Sequence, residues 1–165
     1  MSENAARVGF GDFDSELNNT RKVLERVPED KLTWKPHAKS MSLGELAFHV
    51  AGLPWFFEIG VRQNDYDMIG WKKPADPTTR KDIVDKFDET SNAARKALSE
   101  LKPEMLGDSW SLKMGDQVFF TLPRAAVLRT FALSHIIHHR AQLIVYLRLL
   151  DIPIPGLYGP SADEQ

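Results

Sequence analysis

Apolar residues recur along this chain in four stretches at the alternating three- and four-residue spacing that lines one face of an α-helix. The first covers about residues 10–27, where Phe13, Leu17, Thr20, Leu24 and Val27 share a face. Pro28 closes it, and the stretch from Pro28 to His37 predicts a connecting loop anchored by a buried Trp34. The second begins at Ser42, whose partner Glu45 three residues on makes a capping box, and continues through Leu43, Leu46, Val50, Leu53 and Phe57. Pro54 falls inside this pattern and predicts a kink, since it can give no N–H to the preceding turn.

Periodicity then lapses from Arg62 to Pro77, where Gly70, Pro74 and Pro77 predict a loop long enough to run from one end of a helical bundle to the other. A third helix starts near Thr79, capped with Asp82, and carries Ile83, Phe87, Ala94, Leu98 and Leu101 before Pro103 ends it. Trp110, Leu112 and Met114 alternate with polar residues, as do Val118 and Phe120. With Gly115-Asp116 between the two runs as a type II′ turn, they predict a short β-hairpin.

The fourth helix is the longest, from about Pro123 to Leu150. At 100° per residue, Leu128, Phe131, His135, Gln142, Tyr146 and Leu149 fall in one narrow arc, which predicts the core-facing side. Leu133, Ile136, Ile137, Ile144 and Leu147 make a second stripe, and a helix apolar on two sides is buried on two sides. The second burial predicts a homodimer through this helix, with packing under the long loop or the hairpin as the alternative. No repeat or low-complexity run divides the chain, so residues 1–165 are expected to form a single domain, with the tail Ile152 to Pro160 as coil.

Composition agrees with a folded core: of 165 residues, 42% are hydrophobic and 27% charged, and a chain of this length buries roughly 70% of its unfolded surface. The net charge of -2 offers no basic excess for nucleic acid or an anionic membrane, and neither is expected as a partner. The longest charge-free apolar window, Leu46 to Phe57, has 12 residues where a membrane span needs about 20. Met1 to Ala5 lack the basic and apolar regions of a signal peptide, and there is no cysteine, so a reducing cytoplasmic setting is expected. The missing cysteine also excludes disulfides, thiolate metal sites and a cysteine nucleophile. Histidine and carboxylates are left as the strong metal ligands.

Five histidines are present, three of them within five residues of the last helix. His135 and His139 stand one turn apart, the spacing at which two imidazoles grip one ion. They also occupy inward positions that a bundle would ordinarily give to Leu or Ile. Each buried imidazole without a partner costs on the order of 1 to 3 kcal/mol, which a metal would remove. His49, one turn beyond Glu45 on the second helix, would complete a three-histidine set if that helix packs on the fourth. His138 competes through its three-residue offset, whereas His37 sits between loop residues and reads as surface.

The run His135 to Arg148, with its His-x-x-His-His-Arg-x-Gln-Leu core, resembles the C-terminal half of DinB-family proteins, as does the tail from Tyr158 through Pro160, Ser161 and Asp163 to Glu164. The resemblance continues through Leu122-Pro123-Arg124 and through Leu43 to Ala51, so it covers most of the chain, and its one departure is Ala141, where glycine is common. It implies an all-α, up-down-down-up four-helix bundle, usually dimeric, with a divalent metal ion held by His49, His135 and His139. It further implies a metal-dependent transferase or isomerase that uses a low-molecular-mass thiol.

Three neutral imidazoles leave a divalent ion, zinc or nickel foremost, its full charge and an open position. Such a site lets a borrowed thiol attack a small-molecule electrophile, or lets bound water hydrolyse a substrate; a metal that only joins helices in a stress-related bundle is the non-catalytic alternative. Glu45, Gln142 and Tyr158 are the candidate residues around it.

Overall fold

The computed structural model describes residues 10–164. Helix α1 (Phe13–Leu24) buries Phe13, Leu17, Thr20 and Leu24, the face marked out by their spacing. Helix α2 (Leu43–Gly52) opens with the expected capping box: the Glu45 amide donates to Ser42 Oγ (3.1 Å), and the Ser42 amide donates to the Glu45 carboxylate (2.7 Å). Pro54 does more than kink this segment. It ends α2, and a separate helix α3 (Trp55–Arg62) starts after it. Thr90 of α4 (Arg80–Glu100) donates its hydroxyl to the Ala51 carbonyl (2.6 Å), so a polar group beside the break is satisfied inside the core. The second capping box, Thr79 with Asp82, starts α4 as its spacing predicts.

The expectation of an all-α, up-down-down-up four-helix bundle whose β structure is a lone hairpin does not hold. Four helical segments, counting the broken second one once, are joined by a three-stranded mixed sheet in the order β1-β2-β3. Strands β2 (Ser109–Met114) and β3 (Gln117–Pro123) are the predicted antiparallel hairpin, turning at Gly115 with φ of 58° and irregular between Leu112 and Lys113. Strand β1 (Asp65–Asp67) comes out of the loop after α3 and runs parallel to β2, pairing Tyr66 with Leu112. Three residues reading Asp-Tyr-Asp are too short to show a two-residue alternation. What holds them is tertiary. Lys113 Nζ donates to Asp65 (2.7 Å), and Asp67 accepts from the backbone amides of Ile69 (2.9 Å) and Gly115 (3.1 Å). Under this sheet Ile59, Trp110, Leu112 and Val127 form a small second core beside the main one.

The last helix also departs from its sequence reading. A single turn (Arg124–Ala126) leads into seven residues of π-helix (Val127–Leu133), followed by α5 (Ser134–Leu149). A π turn holds more residues than an α turn, so a stripe drawn at a constant 100° slips in phase across it. Leu128 is fully buried, but Gln142 and Leu149 of the expected core-facing arc are exposed and His135 is half-buried. The face that enters the core instead carries Leu133, Ile136, Arg140, Leu143 and Leu147. Most of the second stripe is therefore satisfied within the chain. Gly60 of α3 allows this start of the helix to pack closely, since a Cβ there would lie 2.7 Å from Leu128.

Two buried arginines fasten the last helix, Arg124 at its start and Arg140 midway along α5. Arg124 donates to the carbonyls of Gly60 and Gln63 (2.6 Å to the latter) and to Asn64 Oδ1 (2.7 Å), closing the C-terminal end of α3. Arg140 donates to the Glu16 carboxylate (2.6 Å) and to the Glu16 carbonyl (2.9 Å) on α1. It also meets the hydroxyl of Tyr158, which itself donates to Glu16 (2.7 Å). Removing one partner of such a pair strands the other charge in the core. Arg140→Ala is therefore expected to cost about 3–5 kcal/mol in urea unfolding. Tyr158→Phe should cost about 1 kcal/mol, and the paired apolar replacement Arg140→Met with Glu16→Leu far less than Arg140→Ala.

Candidate metal centre

Helix α2 packs along α5, and this contact brings His49 opposite His135 and His139. One ligand nitrogen from each lies within 4.8 Å of the other two. Ring centroids are 5.4 Å apart for His49 and His135, and 4.7 Å for both His49–His139 and His135–His139. Local structure fixes each ring. His49 sits one turn past the capping box of α2, while His135 is the second residue of α5, just beyond the π segment.

All three rings are half-buried. Burial pushes the pKa of His49 down to about 4, with the neighbouring His139 adding to the effect. His135 is likewise lowered to about 4, by burial first and then by the other histidines. Burial lowers His139 too, against the opposing pull of its hydrogen bond to Gln142. Near neutral pH the rings are thus uncharged, which is the form that binds a metal. The Nδ1 atom of His135 is buried without a hydrogen-bond partner among the described residues, the kind of orphaned polar atom that a bound ion would explain. Phe56 and Phe131 pack beside the His135 ring, centred 6.1 and 5.8 Å from it.

The remaining candidates part ways. Gln142 belongs to the site: His139 Nδ1 donates to its Oε1 across 2.7 Å. Glu45 serves as a cap. Its carboxylate is held by Lys73 (2.5 Å) and the Ser42 amide, with Lys35 at 3.6 Å, and these bonds bring its pKa down to about 2. Tyr158 serves the Arg140–Glu16 network. His138 is exposed, with its ring 4.9 Å from that of His139, and it borders an open depression shared with Thr130, Phe131, Ser134 and His135. His37 lies exposed in its loop, as expected. Sequence patterning does not single out Phe56, Phe131 as a wall of the site, or the two lysines around Glu45. A restart of the helical phase after Pro54 is the signal that points to Phe56, but nothing local marks the lysines.

A family model for the DinB family matches residues 1–165. The chain belongs to the DinB family. Among relatives of this DinB protein, Bacillus subtilis strain 168 YrdA is 26% identical over 156 residues, covering 92% of this chain and 87% of YrdA. YjoA of the same strain is 26% identical over 136 residues, covering 82% of this chain and 84% of YjoA. Two crystal structures share the fold. A DinB-like protein from Bacillus cereus ATCC 10987 superposes with a TM-score of 0.71 at 23% identity, over 90% of this chain and 94% of its own. A DinB family member from Exiguobacterium sibiricum 255-15 does so at 0.66 and 17% identity, over 93% and 97%.

The lowered histidine pKa values have a consequence for stability. Above pH 6.5 these rings are neutral in both folded and unfolded chains, whereas below it the unfolded chain takes up protons first. Stability of the metal-free protein should therefore fall as pH drops from 6.5 toward 4. Urea midpoints measured from pH 7 to pH 5, above most carboxylate titration, should decline in the native chain and less so in His49→Gln. Equal slopes would contradict the assignment.

Proposed function

We propose that this DinB protein holds a divalent metal ion with His49, His135 and His139 and is a metal-dependent transferase of a low-molecular-mass thiol. The observation that carries the reading is the convergence of three neutral imidazoles, from two helices, with their ligand atoms within 4.8 Å of one another. A bound zinc or nickel ion would supply a Lewis acid able to lower the pKa of a thiol or a water molecule. The chain's own residues form the site. Three imidazoles provide the ligands, Phe56 and Phe131 pack beside His135, and half-burial leaves an outer side open to reactants. Because the chain has no cysteine, the thiol is a cosubstrate, and the acceptor is a small electrophile.

A purely structural metal that joins α2 to α5 is the competing reading, favoured by the position of the rings across that helix contact. The same reading of the chain as a cytoplasmic enzyme includes a homodimer through α5, where Val145 and Leu149 remain 57% and 59% exposed. Among the described residues no helix is long and apolar enough to cross a membrane.

Elemental analysis should find about one ion per chain in the native protein and little in His135→Ala. Stoichiometric metal in that variant would refute the three-histidine site. Metal-loaded protein incubated with low-molecular-mass thiols and an activated electrophile should form the thioether product, and the reaction should stop on chelation. Turnover of activated esters alone would show a hydrolase. A large chelation-induced drop in melting temperature without turnover would favour the structural role.

A further inference from the structure

We infer that Gln142 is a positioning residue that selects which nitrogen of His139 faces the metal. The inference rests on the three-histidine reading and deepens it. Of the three rings, His139 is the one with a side-chain hydrogen-bond partner among the described residues: its Nδ1 lies 2.7 Å from Gln142 Oε1, which leaves Nε2 as its unengaged nitrogen. An amide oxygen can only accept, so Nδ1 must carry the proton. A neutral imidazole has one N–H and one lone pair, and a proton on Nδ1 leaves the lone pair on Nε2. An unconstrained histidine side chain in water prefers the opposite tautomer, with the proton on Nε2, which would present a donor where a ligand is needed. Gln142 reverses that preference.

Position and chemistry both favour this role. Gln142 lies three residues beyond His139 on the same continuous helix, so the bond spans neighbouring positions of one surface. The contact therefore forms in the metal-free protein and does not wait for an ion. His135 differs, because no side chain among the described residues hydrogen-bonds its Nδ1. The side chain at 142 is an amide and not a carboxylate. It orients the ring without adding negative charge, so the full positive charge of a bound ion stays available for polarising a ligand. A carboxylate in its place would strengthen the imidazole as a donor and dilute that charge.

The test compares the full-length native protein with Gln142→Leu, which removes the acceptor, and Gln142→Glu, which restores one. Nitrogen-15 NMR of the metal-free proteins near neutral pH reads the tautomer of His139 directly, and zinc titration with a competing chelator reads affinity. We expect Nδ1–H in the native protein and in Gln142→Glu, and a shift toward Nε2–H in Gln142→Leu. Zinc affinity should fall roughly 10–100-fold in Gln142→Leu and be retained or raised in Gln142→Glu. The melting temperature of the metal-free forms should be the same, because residue 142 is exposed. An Nε2–H tautomer in the native protein, or one unchanged in Gln142→Leu, would overturn the inference, as would equal zinc affinity in the native and Leu forms. If the native protein took up no zinc while the tautomer reversed as described, the metal reading would fall and the control of His139 by Gln142 would stand.

Discussion

The rotation of α5 about its own axis is set by the buried contact between Arg140 and Glu16, and the histidine cluster depends on it. Arg140 follows His139 directly in the chain, and adjacent helical residues point about 100° apart. With Arg140 turned into the core and bonded to α1, His139 must lie on the flank, and His135 one turn earlier lies with it. That flank is the one facing α2. A buried ion pair contributes little net stability once desolvation is counted. Its effect here is geometric, because the guanidinium finds the Glu16 carboxylate, the Glu16 carbonyl, Thr20 and Tyr158 together in one orientation of the helix.

The π segment is the second half of the same constraint. Leu128 must fill the space over Gly60, and His135 must face His49. An uninterrupted α-helix would not put both where they are, and the wider turns of residues 127–133 take up the difference. The Ser134 hydroxyl donates to the Arg129 carbonyl (3.1 Å) and that of Thr130 to the Ala126 carbonyl (2.6 Å), so backbone groups at the irregular ladder remain satisfied. Arg124 fixes where the segment begins by tying it to the end of α3.

Electrostatically, the cluster sits apart from the charges near it. Glu45 is one turn from His49 along α2, but its carboxylate is occupied by Lys73 and the helix cap and balanced by Lys35. The three rings are left neutral, orphaned in part and open on one side. In that form they could bind a cation, and one of them is hydrogen-bonded to Gln142.

Features that depend on residues close in sequence are legible from the order of amino acids alone. The two capping boxes, the hairpin turning at Gly115, a disturbance of the helix at Pro54 (expected as a kink, found as a break) and the one-turn spacing of His135 and His139 each arise from bonds or angles spanning a few residues. The placement of His49 opposite that pair follows from helix pairing and the family resemblance, and the fold brings them together. Nothing in the sequence marks β1, the π segment, or the roles of Arg124 and Arg140. Strand β1 exists because Lys113 and Gly115, far along the chain, bond its two aspartates. The helical phase slips because Leu128 must fit against Gly60, and the arginines enter the core because carbonyls and a carboxylate from other elements await them there. Local periodicity records which residues can share a face, but which face turns inward is decided by the groups that meet it across the fold.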